Sequence, residues 1–296
     1  MSAALAPFGL IALVAALLAL RQTLFVILGA ALVCAYWIYS PDPARFIILD
    51  AWNALNRDVL LSIPLFILAG QIMTRGSMAQ RLVRFISALT APVPGGLAVA
   101  TIVSCAVFAA LSGSSTVTLL AVGSVMYPAL IEAGYPRAFA IGALCAAGTL
   151  GIIVPPSIPL ILYGVMANTS IADLFIAGLG PAALLTLLMA LYAFAANIDR
   201  GGGRWQLREI VTSTVRAGWS LAMPVIILGG IYSGYFTATE SAAVACVYAL
   251  FVELLVHREL DLAGGYAACR ETTRLLGSLF PVLMLAVCIN VFLTYE

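Results

Sequence analysis

The sequence predicts an all-α, polytopic membrane protein with almost no soluble part, and three observations carry that prediction. Of 296 residues, 63% are hydrophobic and 9% charged, whereas an ordinary soluble domain carries roughly 25% charged residues. Apolar runs of about 20 residues, long enough to cross a roughly 30 Å hydrocarbon core, follow one another with short polar joints between them. The chain has no Lys, so all fourteen basic residues are Arg, too few polar side chains to coat a soluble fold of this length. The net charge of +1 implies neither nucleic acid nor an acidic partner.

Membrane elements are expected near 5–20, 24–39, 59–73, 97–131, 138–166, 174–196, 219–236, 239–256 and 277–294. That amounts to about eight spanning helices, one of them a broken helix, plus one re-entrant helical hairpin. The first two elements are short for full spans and need tilt or local thinning of the bilayer. The run from Ala4 to Leu20 lacks a basic n-region and meets a second apolar run just after Arg21, so it is expected to be retained. Polar joints fall at 40–58, 74–94, 132–137, 197–218 and 257–276. Trp52, Tyr36 and Trp37 flank the first of them and fit an interfacial aromatic belt.

Two joints are strongly basic. Arg75, Arg81 and Arg84 have no acid nearby, and Arg200, Arg204, Arg208 and Arg216 face only Asp199 and Glu209. The positive-inside tendency puts both in the cytoplasm, which requires an even number of crossings between them. Three hydrophobic elements lie in that stretch, so one is not a simple span. The element at 97–131 carries Ser112-Gly113-Ser114-Ser115 at its middle, with arms of about 15 residues, roughly 22 Å of helix. A two-span hairpin satisfies the parity equally well; the short arms favour re-entry. Arg81 and Arg84, with Leu82, Val83 and Phe85 between and after them, are expected to anchor an amphipathic stretch at the cytoplasmic headgroups.

The element at 138–166 breaks at Pro155-Pro156, because tandem prolines remove two backbone donors and clash with the preceding turn. Lipid cannot satisfy the freed backbone groups, so a break at membrane depth must face protein or a water-filled cavity. Such discontinuities point to transporter binding sites. Hydroxyls and unwound carbonyls at the Ser/Gly tip suit a hard cation such as Na⁺, with further carbonyls available from Gly148 to Pro155. The start of the returning arm near Ser114 or Ser115 can donate N–H groups to an anion. Small residues in membrane helices also serve simple close packing, which is the competing role for the same cluster.

Charges at depth are nearly absent. Glu240 is expected to complement the first turn of a helix capped by Thr239, and Glu253 to reach water from its place beside a polar loop. With no chain of buried carboxylates, Na⁺ coupling is expected over a proton relay. No catalytic residues are expected, because the Ser cluster has no His, Lys or Asp neighbour to activate it. Five of the six cysteines lie in apolar stretches, none with CxxC spacing, and the one His, His257, sits in a polar joint. No metal site other than for sodium is expected, and no cofactor.

Several motifs carry a resemblance. Ile63-Pro64-Leu65-Phe66-Ile67-Leu68-Ala69-Gly70, Leu111-Ser112-Gly113-Ser114-Ser115 with Thr118, Gly134-Tyr135, Gly148 to Gly151, Val154-Pro155-Pro156-Ser157-Ile158 and Tyr163-Gly164 follow in order, as do Ser170 to Gly178 and Phe236 to Ala243. Together they resemble the large membrane subunit of TRAP (tripartite ATP-independent periplasmic) transporters from about residue 20 onward. The resemblance implies a Na⁺-coupled secondary transporter of elevator type in the bacterial inner membrane, importing small organic acids such as carboxylates or sialic acids. It implies three partners besides lipid: a periplasmic substrate-binding protein, a small membrane subunit and the organic anion. Residues 1–58 then correspond to N-terminal scaffold helices, 59–196 to the first transport repeat and 197–296 to scaffold helices leading toward a second repeat. Carried over by motif, Ser112, Gly113, Ser115, Gly148 and Pro155 are the cation ligands, and Ser114, Thr116 and Ser157 contact the substrate anion.

The family continues through a second, inverted copy of the hairpin and broken helix, with a threonine–proline–proline–valine–glycine-like motif. Nothing similar follows Pro159, and the sequence stops at Leu293-Thr294-Tyr295-Glu296. The expectation is a truncated chain or one completed by another polypeptide, since a midplane site needs both repeats. A non-transporting membrane scaffold of the same complex is the alternative function.

Overall fold

A computed structural model describes residues 6–39 and 43–295. Helices make up all the regular structure among them: α1 (Ala6–Ala19), α2 (Leu24–Tyr39), α3 (Pro43–Leu55), α4 (Ser62–Arg75), α5 (Met78–Thr90), α6 (Gly96–Ser112), α7 (Ser115–Glu132), α8 (Arg137–Gly148), α9 (Leu150–Ile153), α10 (Ile158–Ala167), α11 (Ile171–Ala195), α12 (Leu207–Tyr232), α13 (Ala238–Phe251) and α14 (Leu262–Tyr295). Among the described residues, seven helical segments are long and apolar enough to cross a membrane, against about eight expected. Two expected spans drop out, α1 and α2, whose 14 and 16 residues fall below the usual spanning length, while Ser115–Glu132, expected as a hairpin arm, is counted among the seven.

Three helices run into segments expected to be polar joints. Helix α3 occupies most of 43–58, α12 starts at Leu207, and α14 starts at Leu262. Apolar runs mark where a helix meets lipid, whereas its backbone ladder closes equally well in headgroup or water. Residues 40–42 of the first joint lie outside the described residues.

Contacts divide the chain into two compact units, 1–60 with 273–296, and 61–272. In the first, Leu32, Tyr36, Ala54, Leu285 and Cys288 form the core. Tyr36 departs from its expected place in an aromatic belt: it is buried, its hydroxyl donates to Asp50, and its ring lies 4.9 Å from Phe292. Trp37 and Trp52 are exposed as a belt requires. A buried phenol needs a partner, and Asp50 supplies one.

The second unit is built around α4, which packs on α13, α6 and α7. Helix α13 turns Ser241, Ala242, Ala245, Cys246 and Ala249 inward. This small-residue face at helical spacing lets two backbones approach where lipid gives no hydrophobic drive. Phe66, Phe108 and Phe175 are fully buried, and truncating such a ring to Ala costs roughly 3–5 kcal/mol. Helix α5 buries Met78, Leu82, Val83 and Ile86 against α12, α6 and α7. Its apolar face therefore docks on protein rather than anchoring in headgroups, while Arg81 pairs with Glu259 at 2.9 Å.

Two further expectations change at helix ends. Thr237, not Thr239, caps α13, in a reciprocal capping box with Glu240. Glu253, expected to reach water, is fully buried in a π turn at Val252–Val256. Its Oε1 accepts from the Met78 amide at 2.8 Å, and His257 Nδ1 lies 3.5 Å from Oε2. The start of α5 has an orphan donor to satisfy and no side-chain cap from Ser77. Gly76 leaves the room: a Cβ there would sit 2.1 Å from the Glu253 carboxyl carbon.

Candidate binding site at the hairpin tip

The Ser/Gly cluster breaks its element as the sequence predicts. Helix α6 ends at Ser112, Gly113 takes a left-handed conformation at φ 60°, and its amide donates to Ala109 O at 2.9 Å. This is the αL ending that glycine makes without steric cost. Ser114 is extended, and α7 begins at Ser115, so two residues reverse the chain and α6 packs along α7. The two arms hold 17 and 18 residues, slightly longer than expected. Ser112 is buried, its hydroxyl 2.8 Å from that of Thr118 and 3.4 Å from the Ser114 carbonyl. Ser114 provides no side-chain cap to α7, so the positive end of that helix keeps its first-turn donors free of the usual hydroxyl partner.

The second break lies between α9 and α10. Val154 turns extended after donating to Leu150 O at 2.8 Å, and Pro155-Pro156 follows with a cis peptide bond between the prolines. Ser157, extended and buried, precedes α10 and donates its hydroxyl to the Ile152 carbonyl. That bond satisfies a carbonyl that the prolines, lacking N–H, cannot.

These two breaks meet. The Ile158 amide donates to the Gly113 carbonyl at 3.2 Å. A Cβ on Gly113 would lie 2.7 Å from the Pro156 carbonyl oxygen, and one on Gly151 would lie 2.7 Å from the Ser115 nitrogen. Only glycine allows backbone to lie on backbone this closely.

The positions named from the motifs divide accordingly. Ser112, Gly113, Gly148, Pro155 and Ser157 are buried, Ser114 and Ser115 are half-buried, and Thr116 is exposed. A Cβ on Gly148 would lie 3.8 Å from the Ser115 carbonyl, which puts Gly148 beside the start of α7. The hydroxyls of Ser112 and Ser157 already hold the two turns in shape. Three contributors were missing from the sequence-derived set: Gly151, the Pro156 carbonyl and the Ile158 amide. The Gly148–Gly151 pair was the available signal for the first; backbone groups leave no trace in side-chain patterns. The site offers hydroxyl and carbonyl oxygens, which suit a hard cation, together with the N-terminal ends of α7 and α10, which suit an anion.

A family model described as "Tripartite ATP-independent periplasmic transporter, DctM component" matches residues 11–296. The C4-dicarboxylate TRAP transporter large permease protein DctM of Pseudomonas aeruginosa is 45% identical over 229 residues, covering 76% of this chain and 54% of the relative. The ectoine TRAP transporter large permease protein TeaC of Halomonas elongata is 42% identical, covering 72% of this chain and 51% of the relative. The 2,3-diketo-L-gulonate TRAP transporter large permease protein YiaN of Escherichia coli is 37% identical, over 79% of this chain and 55% of the relative. The chain thus spans about half the length of these curated relatives.

Proposed function

As this chain belongs to the DctM component family of tripartite ATP-independent periplasmic transporters, we propose that it contributes the first repeat of a Na⁺-coupled importer of small organic acids. The observation that carries this is the contact of the Ser112–Ser115 turn with the Gly148–Ile158 break, joined by the Ile158–Gly113 hydrogen bond. Oxygens of Ser112, Gly113, Ser115, Gly148 and Pro155 serve as the Na⁺ ligand set. Ser114, Thr116 and Ser157, at the two helix starts, receive the carboxylate of the substrate. A cation next to an anion in a site without charged side chains lowers the cost of bringing each out of water, which couples their binding.

A small carboxylate is the proposed cargo, because the names of two relatives specify a dicarboxylate and a gulonate. A sialic-acid-like acid has the same anchoring group. The proposed partners are a periplasmic substrate-binding protein and a small membrane subunit, in the bacterial inner membrane. Residues 59–196 are the proposed moving repeat, with scaffold helices drawn from 1–58 and 197–296. Uptake of labelled succinate into proteoliposomes, with the chain supplied in its complete complex and an imposed Na⁺ gradient, is the test. Succinate uptake indifferent to the gradient removes the Na⁺ coupling; no uptake of any small acid leaves a membrane scaffold as the function.

A further inference from the structure

A second site lies away from the hairpin tip, within the unit formed by residues 61–272. A cavity of about 1300 Å³ opens between α5, α7, α12 and the segment around Gly201. Arg81, Arg84, Arg200 and Arg216 line it against two acids, Glu209 and Glu259. Glu259 is taken by Arg81 at 2.9 Å. Arg200 is fixed over the Tyr135 ring at 4.1 Å and donates to the Gly134 carbonyl at 3.1 Å. Arg84 on α5 and Arg216 on α12 are exposed and make no hydrogen bond or ion pair among the described residues. Two guanidinium groups on facing helices suit the oxygens of a phosphate.

An apolar stripe lies on α12 next to the residues that line the cavity. On α12, Leu207, Val211 and Val215 are 74%, 62% and 73% exposed, at four-residue spacing. They form a stripe along the helix, directly beside Thr212 and Arg216. Trp205 is also exposed, and its indole donates to the Leu89 carbonyl at 3.2 Å, as an interfacial tryptophan would. A soluble anion has no use for this stripe, whereas a molecule with a charged head and hydrocarbon tails matches both surfaces. We propose that this cavity binds the phosphate headgroup of an anionic phospholipid between Arg84 and Arg216, with the acyl chains along Leu207, Val211 and Val215. The bound lipid bridges α5 and α12 at the headgroup level of the basic joints.

The test is native mass spectrometry of the full chain in detergent, titrated with phosphatidylglycerol and, separately, phosphatidylcholine. Phosphatidylglycerol should remain bound to the wild type at roughly thirtyfold lower concentration than to the Arg84→Gln/Arg216→Gln pair. Arg84→Lys/Arg216→Lys, which keeps the charge, should retain most of the affinity. Arg204→Gln/Arg208→Gln, outside the cavity, should match the wild type. If the double glutamine variant elutes as aggregate, the single variants are read instead, each expected to weaken binding roughly fivefold. Equal lipid binding by wild type and glutamine variants overturns the proposal. Phosphatidylcholine bound as tightly as phosphatidylglycerol also overturns it. Displacement of the lipid by millimolar inorganic phosphate or succinate would make this a site for free anions, and overturns the lipid assignment.

Discussion

The carbonyl oxygen of Gly113 accepts a hydrogen bond from the Ile158 amide at 3.2 Å, so the turn of one interrupted element is held by the start of a helix in the next. The carbonyl of a residue in a tight turn and the first amide of a helix after a proline break both lack partners in their own elements. Each satisfies the other. The hairpin tip is therefore registered on the broken helix by backbone, independently of the side chains proposed to bind the ion.

Gly113→Ala should destabilise the protein by about 1–3 kcal/mol, from the left-handed φ and from a Cβ placed on the Pro156 carbonyl. Gly134, at φ 77° with nothing within 4 Å of its Cβ position, isolates the conformational part. Thermal unfolding in detergent should show a clearly larger loss for Gly113→Ala than for Gly134→Ala. Equal losses would mean that the tip and the broken helix do not pack as described.

In a complete homologous carrier, Ser112→Ala and Ser115→Ala should each raise the Na⁺ concentration for half-maximal uptake by roughly fivefold to tenfold, the worth of one lost oxygen ligand. Thr118→Val removes the 2.8 Å partner of Ser112 but no proposed ligand. It should lower stability with a smaller change in Na⁺ dependence. Identical profiles for Ser112→Ala and Thr118→Val would reduce Ser112 to a latch of the turn.

Glu253→Leu should cost about 1–3 kcal/mol, because it leaves the Met78 amide buried without an acceptor. Glu253→Gln keeps an acceptor oxygen in place and should cost less. The comparison is read from unfolding midpoints in the same detergent. A leucine variant as stable as wild type would show that the 2.8 Å bond is not formed.

Topology can be checked with single cysteines in a cysteine-free background. Arg75 and Arg204 are exposed on the two basic joints, so Arg75→Cys and Arg204→Cys should both resist an impermeant thiol reagent applied from outside. Asn56→Cys, exposed at the end of the first joint, should react. Labelling of positions 75 and 204 from opposite sides would remove the even number of crossings between them, and the hairpin parity with it.

The sequence by itself determined the membrane class and the places where helices stop. Those are local properties: apolar runs set which segments enter lipid, Gly113 permits a left-handed ending, and Pro155 and Pro156 cannot donate to a helix ladder. The starts of α12 and α14 were misplaced because hydropathy reports lipid contact, not backbone hydrogen bonding. Only the tertiary structure decided which breaks face each other, that Tyr36 is buried on Asp50 rather than set in an aromatic belt, and that Glu253 caps α5 instead of reaching water. The first and the last depend on space left by a glycine far away in sequence, Gly151 beside Ser115 and Gly76 beside Glu253. A side chain's burial is set by what packs against it, and pattern along the chain carries no record of that partner.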